Sequence, residues 1–74
     1  MKPLTDRARR ALPDSDFAIP DRRAYPIHDE DHAAIALDDS QAADAEDRAA
    51  VRRAVQLRFP HVLQMWDASH ALKK

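Results

Sequence analysis

The chain contains no glycine. Glycine is the residue that most readily enters the left-handed region and lets backbone approach a ligand closely. Without it, a phosphate-cradling P-loop and a dinucleotide fingerprint are both excluded. Helix ends and turns must instead come from Asp, Ser, Thr and Pro. Those residues concentrate in LPDSDFAIPDRRAYPIHDEDH, residues 12–32, which holds Pro13, Pro20 and Pro26.

This stretch reads as a folding device. Thr5 caps a short helix, about residues 6–11, with Asp6 in its first turn. The helix stops before Pro13, because a residue preceding proline avoids the helical region. Pro13-Asp14-Ser15-Asp16 is a turn signal. Phe17-Ala18-Ile19 and Ala24-Tyr25 are short extended runs joined by the turn Pro20-Asp21-Arg22-Arg23, the pattern of a small two-stranded ribbon. Pro20 and Pro26 limit its pairing to a few bonds. Phe17, Tyr25 and Ile27 are its expected structural anchors.

Three further helices follow in the pattern. Asp29 is an N-cap, with Glu30 and Asp31 in the first turn of a helix that fades at Asp38-Asp39-Ser40. Asp44 caps the next, which ends near Arg58 ahead of Pro60. Its expected apolar face is Ala50, Val51, Ala54, Val55 and Leu57. In the tail, Val62, Leu63, Trp66 and His70 form another helical stripe, with Lys73 and Lys74 at the favourable C-terminal end. The expected fold is mainly α, a small α+β domain. It has a short N-terminal helix, a minimal two-stranded β-ribbon, two core helices and a C-terminal helix. The reading divides it into a helical domain, 1–61, and an amphipathic tail, 62–74.

The core is thin. A domain of 74 residues buries only roughly 60% of the surface its unfolded chain exposes. Much of the apolar content is alanine, which adds little area. A partner surface that completes the core is therefore expected, and Val62, Leu63, Met65 and Trp66 are the residues expected to meet it. Tryptophan and methionine are enriched at the buried centres of interfaces. The competing expectation is that the tail folds back on its own domain.

Other classes of function are weakly supported. There is no cysteine, hence no disulfide and no thiolate metal site. No apolar run of 15–20 residues occurs, so neither a membrane span nor a signal peptide is expected. Net charge is −1, but the signs form blocks. Residues 2–10 and 48–58 are basic, and residues 28–47 carry acids with no Lys or Arg. Arg7 and Arg10 are candidate contacts to a partner. Nucleic-acid binding is not the expected reading, since the net charge is slightly negative and no aromatic interleaves with the bases. Within His28-Asp29-Glu30-Asp31-His32, the two histidines have the i, i+4 spacing of a zinc pair. His28, however, should lie outside the helix that Asp29 caps, and the HExxH order is missing. No metal and no cofactor are expected, and no spacing of Ser, His and Asp favours an enzyme.

Residues 12–37, LPDSDFAIPDRRAYPIHDEDHAAIAL, resemble a small uncharacterised domain of tailed-phage and prophage genomes, often near or fused to head-morphogenesis proteins. Its pattern is approximately LPDSxFAxPxxRxYPIxDxxHxxxAL. Leu12, Pro13, Asp14, Ser15, Phe17, Ala18, Pro20, Arg23, Tyr25, Pro26, Ile27, Asp29, His32, Ala36 and Leu37 match it. A later helix matches at Val51, Arg52, Ala54, Val55, Arg58, Phe59 and Pro60. Ile35 stands where the pattern usually has a polar residue. The resemblance covers about residues 11–61. It implies a virion setting and a non-enzymatic accessory role on the capsid or another head protein, and it carries no catalytic residue. The alternatives are a phage-encoded nucleic-acid-binding regulator and an inhibitor of a host protein.

Overall fold

The computed structural model describes residues 5–71. Lys73 and Lys74, which enter the sequence reading, lie outside that range. Among the described residues the chain forms four helices and one two-stranded antiparallel sheet, a small mainly-α α+β fold.

Helix α1, Asp6–Ala11, begins where the Thr5 hydroxyl accepts the Ala8 N–H at 3.1 Å. It buries no residue of its own, so packing cannot hold it. Two guanidiniums do. Arg23 donates to the carbonyls of Arg9 (2.8 Å) and Leu12 (3.0 Å) at the helix C-terminus. Arg9 donates in return to the Arg23 carbonyl at 2.6 Å. Both guanidinium carbons sit near the ring of Phe17, at 5.5 and 4.6 Å from its centroid, within cation–π range.

Strands β1, Phe17–Ile19, and β2, Ala24–Pro26, pair antiparallel, with Phe17 opposite Pro26 and Ile19 opposite Ala24. A single 3-10 turn, Pro20–Arg22, joins them. The missing glycine shows here. Arg23 (φ 48°) and Tyr25 (φ 60°) both take positive φ, at a cost of order 1–3 kcal/mol each. The bonds from Arg23 to α1 offset that cost at its own position.

Helix α2, Glu30–Asp39, is capped by Asp29, whose carboxylate accepts the His32 N–H at 2.7 Å. Helix α3, Ala45–Arg58, is capped by Asp44, which accepts from the Asp47 N–H at 2.9 Å. Helix α4, Pro60–Ala71, has proline at its first position, where a missing N–H costs nothing. Helices α3 and α4 form an antiparallel hairpin about Phe59, cross-tied by Arg52 donating to both Asp67 oxygens at 2.8 and 2.9 Å. Helix α4 runs parallel to α2. His61 lies 3.1 Å from Glu30 near their starts, and Trp66 and His70 reach Asp38 near their ends.

The core joins α2, α3 and α4 to the end of the ribbon: Ile27, Ala33, Ala36, Leu37, Val51, Val55 and Leu63. Tyr25, Ala54, Phe59, Val62 and Trp66 are half-buried around it. The helix of the tail starts at Pro60, and Leu63 lies in the common core at 7% exposure. One expectation is corrected. Leu57 is 82% exposed, not on the apolar face of α3. Val51 and Val55 are one turn apart and define that face. Two residues past Val55, at about 100° per residue, the chain has turned to the opposite side.

Candidate functional site

The parallel packing of α2 and α4 leaves a groove of about 360 Å³ between them. Ala34 contributes a small side chain from α2, and Val62, Met65 and Trp66 contribute large ones from α4. Glu30, Asp31, His61, Ser69 and His70 form its polar edges. The floor is fixed by Trp66. Its ring stacks on His70 with centroids 3.7 Å apart, and its indole N–H donates to Asp38 Oδ1 at 2.8 Å. Met65 is 71% exposed and stands beside this half-buried tryptophan. A flexible thioether next to a fixed aromatic can adapt to an incoming apolar surface.

The residues expected to meet a partner thus separate. Met65 is open to one, Val62 and Trp66 are half-buried on the groove, and Leu63 faces inward as core. Arg7 and Arg10 are exposed on α1, away from the core. Most other arginines are engaged within the chain. Arg22 pairs with Asp47, Arg23 with Asp14, Arg52 with Asp67 and Arg58 with Asp16. Arg48 donates to the Ala43 carbonyl at 3.0 Å. These ion pairs do not join the basic blocks to the acidic block 28–47: Arg52 and Arg58 find their acids at Asp67 and Asp16, and Asp47 is met by Arg22.

The second feature lies at the start of α2. His28 is outside the helix, as expected, but it is not apart from His32. The extended backbone at Asp29 (φ −142°, ψ 173°) turns the chain so that the two rings lie 4.2 Å apart, tilted by 37°. The two rings meet although His28 lies outside the helix. Asp29 sits between them. His32 Nδ1 is 2.7 Å from Oδ1, and His28 Nε2 is 3.3 Å from Oδ2. A carboxylate only accepts, so His32 Nδ1 carries the proton in that bond. The remaining nitrogens, His28 Nδ1 and His32 Nε2, are buried and have no protein partner. Burial pushes the Asp29 carboxyl up. The hydrogen bonds from the His32 backbone and ring, with the positive charge of both histidines when protonated, outweigh it and hold the group below the usual carboxylate range.

Sequence reasoning missed the partners of Trp66 and the Arg9–Arg23 exchange, since both join residues far apart in the chain. The signal available was limited to a run of arginines near an aromatic. No family model, no curated protein and no solved structure matches the chain.

Proposed function

We propose that the chain is a non-enzymatic accessory protein of a tailed-phage head, docking on a subunit of the head lattice through the groove between α2 and α4. The observation that carries this reading is the pairing of Met65, 71% exposed, with a tryptophan held in place by Asp38 and His70. Large apolar side chains with fixed geometry anchor interfaces through a small number of contacts. The resemblance of residues 12–37 to a domain found with head-morphogenesis proteins supplies the setting and the occupant. The engagement of six arginines in contacts within the chain favours a protein partner over nucleic acid, which would need free cations along one face.

Co-sedimentation of the purified chain with purified phage heads tests the reading. Wild type should pellet with the heads, and Met65→Asp should stay in the supernatant while keeping its fold. Equal pelleting of the two, or none by wild type, would refute the groove as the docking surface.

A further inference from the structure

We propose that His28, Asp29 and His32 form a binding site for one divalent transition-metal cation of the zinc type. The three side chains each offer a ligand atom, and these atoms all lie within 4.8 Å of one another. A tetrahedral cation with bonds of about 2.0–2.2 Å holds its ligand atoms about 3.3–3.6 Å apart. Of the contacts between Asp29 and the two rings, the one at 3.3 Å lies at the lower edge of that range and the one at 2.7 Å below it, so the His32 ring has to draw back from Asp29 to admit the ion. Two imidazoles and one carboxylate are the donor set that zinc, cobalt and nickel accept, and a fourth position remains for water.

The nitrogens that face Asp29 are His32 Nδ1 and His28 Nε2; His28 Nδ1 and His32 Nε2, buried without a protein partner, stay outside that ligand set. The charge balance fits a cation. A helix N-terminus carries roughly half a positive charge, which by itself repels a cation. Here it is opposed by three carboxylates, Asp29, Glu30 and Asp31, at the cap and in the first turn. The ligands come from two sides of the helix start, since His28 precedes the cap and His32 follows it. A bound ion would therefore lock the ribbon to α2.

Calorimetric titration of the untagged full chain with zinc chloride, and visible spectroscopy with cobalt(II), test the site independently of any docking to heads. One equivalent of zinc should bind, and cobalt should give the strong visible absorption of a tetrahedral complex. His28→Ala and Asp29→Asn should each weaken zinc binding by more than about 100-fold, since loss of a ligand exceeds the loss of an outer-shell partner. Both variants should stay folded, because His28 lies outside the helix and asparagine caps as well as aspartate. His61→Ala should bind as wild type does. Absence of saturable binding, binding that survives His28→Ala and Asp29→Asn, or binding lost with His61→Ala would each overturn the assignment.

Discussion

The indole N–H of Trp66 donates to Asp38 Oδ1 at 2.8 Å and ties the end of α4 to the end of α2. This bond links residues 28 positions apart, so it closes the helical part of the fold as well as fixing the floor of the groove. Trp66→Phe keeps an aromatic ring against His70 and loses the bond together with part of the packed ring surface. It should lower stability by about 0.5–1.5 kcal/mol, with Asp38→Ala producing a similar loss and the double variant little more. Urea denaturation of the four proteins checks this, and strictly additive losses would show that the two groups do not interact.

Arg23 and Phe17 together hold α1. Arg23→Lys keeps the charge but cannot reach two carbonyls with a planar fork. It should cost roughly 1.5–2 kcal/mol, the lower part of the range for bonds to charged groups. The loss should be local, with faster amide exchange at Leu12 and within α1 and unchanged protection at Val51 and Val55. Phe17, 2% exposed, is different. Phe17→Ala should cost about 3–5 kcal/mol, enough to unfold a domain of this size. An unchanged melting curve for that variant would contradict its place as an anchor.

Much of this local structure was legible in the sequence because it is made by local chemistry. Thr5, Asp29 and Asp44 cap their helices through bonds to N–H groups three residues on. The ribbon runs from Phe17 to Pro26 because proline turns bound it. What was not legible depends on distant residues. Leu63 could be read as an interface residue only while the fold of the tail was open. Leu57 fits a broad helical face on paper, and α3 turns it outward. The meeting of His28 and His32 follows from the extended angles at Asp29, which spacing in the sequence does not reveal. The exposed Met65 and the stripe containing Trp66 were legible, but not the α2 wall that makes them a groove.

Asp29→Ala should cost about 0.5–2 kcal/mol through loss of the cap. Asp29→Asn should sit near wild type in metal-free buffer. Thermal melts with a chelator present separate this capping role from any effect of metal.

Acid should weaken the α3–α4 hairpin. The hydrogen bonds from Arg52 hold the Asp67 carboxyl below its ordinary value, against the opposing effect of burial. Because the folded value is the lower one, this stabilisation is present above the usual carboxylate range. It is lost as pH falls through the folded value. Both side chains are more than 40% exposed, so the effect should stay below about 1 kcal/mol and shrink in high salt. Wild type should lose more stability than Arg52→Gln on acidification through that range. Parallel pH profiles would show the bridge to be energetically silent.

The most direct measurement of the docking role is quantitative mass spectrometry of purified particles from a phage that encodes this chain, with wild type beside Met65→Asp. Docking on the head lattice predicts a fixed copy number of wild-type chain per particle. It also predicts that Met65→Asp is missing from particles while remaining folded in the lysate. Wild-type chain found only in the soluble lysate, or particles that carry both forms equally, would contradict it.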